Sequence, residues 1–326
     1  MEKTPGKLLT NGWMVCLIAV ISCALWGTAF PGIKIGYRLF EISSGDPQAQ
    51  ILFAGCRFFL AGILTVLFGS IASKKLLKPK KSSWAMILKL CLFQTVLQYL
   101  FFYMGLAHAS AVKSSIIEGA SAFITILIAC LLFRQERLTA RKVVGCVLGF
   151  AGVILVNLSG ADWSVSMSFN GEGFILLSVV AAAVSSVLVK GYSRQENPVT
   201  LSGYQFICGG FFMAVCGFLS GGRISHASGQ GIAVLVYLAF LSAVAYSLWS
   251  NLLKYNSVSR VAVWSFTNPL FGVIFSMLLL DGEKQTFGLR TVAALFLVCL
   301  GIFVVNRATE SKRSVGETRQ AEHELR

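Results

Sequence analysis

Two stretches decide how this chain is read: residues 99–139, YLFFYMGLAHASAVKSSIIEGASAFITILIACLLFRQERLT, and residues 246–286, YSLWSNLLKYNSVSRVAVWSFTNPLFGVIFSMLLLDGEKQT. They align without a gap at a shift of 147 positions. Tyr99 meets Tyr246, Phe102 meets Trp249, Leu106 meets Leu253, Ser110 meets Ser257 and Lys113 meets Arg260. Further along, Leu131-Leu132 meet Leu278-Leu279, Glu136 meets Glu283, Arg137 meets Lys284 and Thr139 meets Thr286. A shift of 149 then pairs Gly152 with Gly301 and Asn157 with Asn306. Apolar matches are cheap in a hydrophobic chain. Charged and polar matches held in one register are not, and they identify an internal repeat.

The solvent around that repeat follows from composition. Of 326 residues, 56% are hydrophobic and 13% are charged, against about 25% charged in soluble domains. Lipid accepts such a composition, and a helical span needs roughly 20 mostly apolar residues. Ten runs qualify, at about 13–36, 50–72, 84–107, 111–133, 141–158, 171–191, 200–220, 230–253, 258–280 and 288–306. The linkers are brief and polar, as in Ser43-Ser44-Gly45-Asp46-Pro47 and Gly221-Gly222-Arg223. Lys3 and Lys7 precede the first run, but no clear small-residue cleavage site follows, so it reads as a retained helix. The tail 307–326 is polar and reads as a disordered cytoplasmic segment.

Orientation follows from Lys and Arg in the loops. With the N-terminus inside, Lys3, Lys7, the cluster Lys74, Lys75, Lys78, Lys80 and Lys81, and Arg134, Arg137, Arg141 and Lys142 are inside. So are Lys190, Arg194, Lys254, Arg260 and the basic tail. Only Lys34, Arg38, Lys113, Arg223, Lys284 and Arg290 fall outside. Both termini are then cytoplasmic and the number of spans is even. Each repeat holds five spans, an odd number, so the second half enters the membrane from the opposite face. The expected fold is an all-α membrane protein of ten transmembrane helices, built as inverted five-helix repeats over 13–158 and 171–306. Such repeats go with alternating access and a site near the bilayer middle.

The net charge of +14 comes from these loops and the tail, which argues against nucleic-acid binding. The nine cysteines lie inside apolar runs without a C-x-x-C pair, so they read as packing residues rather than metal ligands or disulfides. No H-E-x-x-H, G-x-S-x-G or Walker A motif occurs, and His108, His226 and His323 are scattered. Nothing calls for a cofactor, and any pumping is gradient-driven.

The order of short motifs resembles the drug/metabolite transporter superfamily, EamA type. The residues are Trp26-Gly27-Thr28-Ala29-Phe30, Arg57-Phe58, Glu136-Arg137-Leu138-Thr139, Gly145, Gly149-Phe150-Ala151-Gly152 and Asn268-Pro269, with Glu283 matching Glu136. The resemblance covers about 15–306. It implies a proton- or gradient-driven exporter of amino acids or similar metabolites, in a bacterial inner membrane. One departure stands out. Where the family usually carries a proline early in the fourth span as well as the ninth, Ala122 faces Pro269, and Glu118 lies one turn earlier.

Glu118 is the sharpest candidate, because a carboxylate inside a span is costly unless paired, protonated or wet. It reads as a substrate-amine partner or proton carrier, against a structural ion pair or a place at the outer water boundary. Arg57 lies at similar depth. It reads first as a structural anchor, since polar Gln205 stands opposite it, and second as a planar fork for a substrate carboxylate. An Arg57–Glu118 pair is open by depth. Tyr99 and Tyr103 share a helix face, as do Gln94 and Gln98. With Tyr246 and Trp249 they read as pocket lining, against an aromatic belt at the membrane interface. Trp26, Trp264 and Asn268 are softer candidates for the same lining. Pro31 and Pro269 lie inside spans and mark either gating hinges or plain kinks. The glycines read as close helix packing. Glu136 reads as structural, and Thr139 as the cap of the next helix. The leading function is a secondary transporter of a small-molecule substrate. The alternatives are a non-transporting sensor or scaffold and, further off, an intramembrane enzyme. No oligomeric state follows.

Overall fold

The computed structural model describes residues 5–43, 45–106, 108, 117–157, 168–224, 228–279 and 292–307. Ser110, Lys113, Glu283, Lys284, Thr286, Arg290, His226 and the tail beyond Arg307 lie outside the described residues. Among the described residues the secondary structure is helical, with no strand. A short helix, Pro5–Leu9, leads into α1 (Gly12–Leu39) and α2 (Pro47–Ser73). Next come α3 (Lys81–Gly105), α4 (Ser121–Leu132), α5 (Ala140–Asn157) and α6 (Phe169–Tyr192). Then follow α7 (Pro198–Leu219), α8 (Gly229–Tyr255), α9 (258–279) and α10 (Val292–Arg307). Six of these, α1, α2, α3, α6, α7 and α8, are long and apolar enough to cross a membrane.

Short polar side chains set the helix starts by accepting from otherwise unpaired backbone N–H groups. Asn11 Oδ1 accepts from Trp13 N at 3.0 Å, Asp46 Oδ1 from Ala49 N at 2.9 Å, and Asn197 Oδ1 from Val199 N at 2.8 Å. Pro47 and Pro198 each take the first helical position, where a missing N–H costs nothing. Thr139 Oγ1 accepts from Lys142 N at 3.4 Å and starts α5. The outward faces of the helices are apolar: Phe211, Phe218, Phe296 and Phe303 are exposed. A surface of that kind is covered by lipid, and Trp13 and Trp84 stand exposed at or near helix starts as interfacial anchors do.

Two antiparallel helix crossings organise the interior. Residues 48, 55 and 62 of α2 lie against 222, 214 and 207 of the α7 region, in reversed order. A Cβ on Gly55 would stand 2.2 Å from Ala214 N, and one on Gly210 would stand 2.2 Å from Phe59 N. The two backbones touch, and only glycine permits this. In the second crossing, Gly145 of α5 meets Gly301 and Val305 of α10, and Gly152 meets Ala294 and Val298. α1 packs on α8 and α9, through Gly32 against Leu238 and Gly27 against Phe271. α6 packs on α3 and α4, through Ile175 against Gly105 on the α3 side.

Three helices lose regularity near the interior; α3 winds as a wider π-helix over Cys91–Leu97. Residues 117–119 are helical, Ala120 forms a turn with its N–H on Ile117 O at 3.0 Å, and α4 proper begins at Ser121. In α9, residues Val263–Thr267 wind as a tighter 3-10 segment. Pro269 has no N–H to give Ser265 O, which accepts instead from Asn268 N. α1 stays helical across the buried Pro31.

Candidate functional site

The aromatic side chains of α3 and α8 meet at the centre. Tyr99 and Tyr246 touch hydroxyl to hydroxyl at 3.0 Å. These are the two residues that open the matched stretches of sequence. A side chain can meet its own repeat mate only where the two repeats face each other. A shift of 148 sets Phe58 opposite Phe206, and these rings stack with centroids 5.2 Å apart and planes 17° apart. Phe58 lies 4.4 Å from the Tyr99 ring, and Phe206 stands edge-on to Tyr246 at 4.8 Å. Trp26 of α1 closes the group, edge-on to Tyr246 and to Trp249, each at 5.1 Å. Tyr103 is buried in the same cluster, and Gln98 lies beside the Tyr246 hydroxyl.

Polar contacts beside the rings repeat the same relation. Arg57 Nη2 donates to Ser242 Oγ at 2.8 Å, and its Nε donates to Leu238 O at 3.4 Å. Thr95 Oγ1 donates to Gln205 Oε1 at 2.7 Å. Gln205 is the mate of Arg57, and Thr95 is the mate of Ser242. One interaction is thus built twice, from an α2–α8 pair and from an α7–α3 pair. A buried arginine at mid-span costs about 2.5–3.5 kcal/mol on insertion scales. The hydroxyl, the carbonyl and the Phe58 face, 5.1 Å below the guanidinium, offset that cost.

Glu118 lies near Tyr246, close enough to act on its hydroxyl electrostatically. It is half-buried and has no hydrogen bond or ion pair among the described residues. Arg57 is committed to Ser242 and Leu238, so the pair that depth left open is not formed. Ser121 and Ser265 bring α4 and α9 together, their hydroxyls 3.5 Å apart. Trp26 Nε1, Trp264 Nε1, Asn268 Oδ1, Gln94 Oε1 and Gln205 Nε2 are buried without a hydrogen-bond partner among the described residues. Buried polar atoms of that kind are available to a ligand.

The structure therefore brings Tyr99, Tyr103, Gln98, Tyr246, Trp249 and Trp26 into one cluster, with Glu118 at its edge. Trp264 belongs to the irregular part of α9, Asn268 and Pro269 open its regular part, and Pro31 lies in α1. Phe58, Phe206, Thr95 and Ser242 were not singled out from sequence as lining. Extending the repeat shift back to α2 and α7 pairs Phe58 with Phe206, and extending it along α3 and α8 pairs Thr95 with Ser242.

A second constellation sits at the end of the bundle where α1 begins. Glu136 Oε2 accepts from Lys142 Nζ at 2.7 Å and from Ser259 Oγ at 2.5 Å, while Oε1 accepts from Ser259 N at 3.1 Å. A carboxylate after α4 thus caps α9. Burial by itself raises the Glu136 carboxyl, but the Lys142 charge and these hydrogen bonds outweigh it and hold the group below its ordinary range.

The EamA-like transporter family model matches the chain twice, over residues 13–158 and 169–307. The chain belongs to the EamA-like transporter family. Relatives carry compatible descriptions. An uncharacterized transporter of Archaeoglobus fulgidus is 28% identical, covering 86% of this chain and 96% of its own length. A chloroplastic WAT1-related protein of Arabidopsis thaliana is 24% identical over 94% of this chain and 73% of its own. The uncharacterized transporter YvbV of Bacillus subtilis is 24% identical over 91% and 93%. A solved crystal structure superposes with a TM-score of 0.71 at 18% identity, over 92% of this chain and 99% of the other, which speaks for the fold. An EamA-like chain with apolar helices is an integral, multi-pass membrane protein, with lipid around it and a small-molecule substrate.

Proposed function

We propose that this EamA-like protein is a secondary transporter that moves amino acids or related metabolites, in the export direction, by alternating access. In this reading it has ten transmembrane helices in two inverted five-helix repeats, 13–158 and 171–306. Both termini are cytoplasmic and the membrane is a bacterial inner membrane. The observation that carries the reading is the Tyr99–Tyr246 contact at 3.0 Å between repeat mates. Antiparallel α2–α7 and α5–α10 crossings, each joining equivalent helices of the two halves, support the inversion.

Substrate binds in this reading between the repeats. Trp26, Tyr99, Tyr103, Tyr246 and Trp249 hold its apolar part. Glu118 takes its amine or the coupling proton, and Gln98, Trp264 and Asn268 take the remaining polar groups. Arg57 positions α2 against α8. Pro31 and Pro269 sit where α1 and α9 bend between states. Counterflow tests the proposal: proteoliposomes preloaded with unlabelled amino acids should accumulate the matching radiolabelled solute, and protein-free liposomes should not. Accumulation equal to that of protein-free liposomes across the whole panel would refute the reading.

A further inference from the structure

The first turn of α1, the start of α9 and the end of α10 surround a cleft of about 330 Å³ on the molecule's N-terminal face. Its walls are Val15, Ile302 and Phe303, and its polar members include Arg260, Asn306 and Arg307. Among the described residues no lining side chain is acidic. Phe303 is 56% exposed and shares the outward side of α10 with exposed Phe296, so the cleft opens sideways toward lipid.

The cations differ in their commitments. Arg260 is tied into the fold, its Nη1 donating to Thr10 O at 3.3 Å and Asn256 Oδ1 at 3.2 Å. Arg307 has no hydrogen bond or ion pair among the described residues, and its guanidinium lies 5.2 Å from the Phe303 ring centre. Asn306 Oδ1, from a cleft residue, is buried without a hydrogen-bond partner among the described residues. An apolar trough beneath two guanidinium groups, open to the bilayer at the level where helices end, matches an acyl chain below an anionic headgroup. Basic pockets between spans take such headgroups, and guanidinium recognises phosphate through parallel N–H donors.

We propose that this cleft binds an anionic phospholipid. Its phosphate lies against Arg307 with Arg260 behind, and one acyl chain lies along the exposed Phe303 ring, over a floor formed by the buried Val15 and Ile302. The proposal depends on membrane embedding and is independent of the solute carried at the centre. The test uses full-length protein in detergent and native mass spectrometry. The probes are phosphatidylglycerol and phosphatidylcholine with the same acyl chains. Wild type should retain phosphatidylglycerol in preference, and Arg307→Gln should reduce that preference about fivefold, the equivalent of the ~1 kcal/mol a basic side chain contributes toward anionic lipid. Lys75→Gln, in an exposed loop, should leave it intact. A second readout is maleimide modification of Cys299, an exposed lining residue, followed by peptide mapping. Phosphatidylglycerol should slow it, and inorganic phosphate should not. Equal retention of the two lipids, an unaltered Arg307→Gln preference, or protection by inorganic phosphate alone would overturn the proposal.

Discussion

At the scale of single residues, Glu118 and Glu136 show what a carboxylate does with and without partners. Glu136 has Lys142 and two donors from Ser259, while Glu118 has no hydrogen-bonded partner among the described residues. In the proposed site, a carboxylate without a partner takes a proton or meets a ligand. Glu118→Gln should therefore lower counterflow at least tenfold or abolish its pH dependence, as read from initial rates across a pH series. A variant that matches wild type in both would remove Glu118 from the site. For Glu136, whose folded-state range lies below the ordinary value of 4.5, stabilisation is in place above about pH 4.5 and is lost as pH falls through the lower folded value. Glu136→Ala should cost roughly 1.5–3 kcal/mol at neutral pH, the range for hydrogen bonds to a charged group. Thermal unfolding in detergent should show a lower midpoint for the variant at pH 7, with the gap narrowing on acidification.

Much of the central site could be read before any coordinates, and the limits have a physical reason. The 147-residue shift named Tyr99 and Tyr246 as mates, and in the proposed inverted repeat mates near the two-fold axis meet. Arg57 illustrates what pattern leaves open. Depth along a helix follows from residue counting at about 1.5 Å per residue, so Glu118 and Arg57 looked equally placed to pair. Lateral neighbours depend on which helix stands beside which and at what rotation. That register, set by the touching α2 and α7 backbones, turns Arg57 toward Ser242 on α8, 185 positions away.

At the scale of elements, the glycine crossings hold the two halves together. Gly55→Leu or Gly210→Leu would force α2 and α7 apart, because even a Cβ would fall 2.2 Å from backbone nitrogen. Both variants should fail to accumulate as a monodisperse peak in size-exclusion chromatography of detergent-solubilised membranes. Gly229→Ala, at the start of α8 with nothing within 4 Å of the added carbon, should elute like wild type. Normal behaviour of Gly55→Leu would contradict the close crossing. The irregular segments at Ala120 and Val263–Thr267 occupy corresponding places in the two halves. Sequence pointed to the second through Pro269. The first has no proline, so its break was not visible beforehand.

At the scale of the whole molecule, four central contacts take one partner from each half: Tyr99 with Tyr246, Phe58 with Phe206, Arg57 with Ser242 and Thr95 with Gln205. In the proposed transport cycle, a centre shared in this way opens toward either face as one half rocks against the other. The Glu136–Ser259 contact joins the halves at the N-terminal face, so Glu136→Ala should also raise thiol labelling of the interior from that face. The most direct test of the account places a single cysteine at position 99 in a chain whose nine native cysteines are replaced, and labels it with a membrane-impermeant maleimide in right-side-out and in inverted vesicles. Labelling is expected from both sides, slowed in both by the transported solute. Labelling from one side only, under every condition of pH and solute, would contradict it.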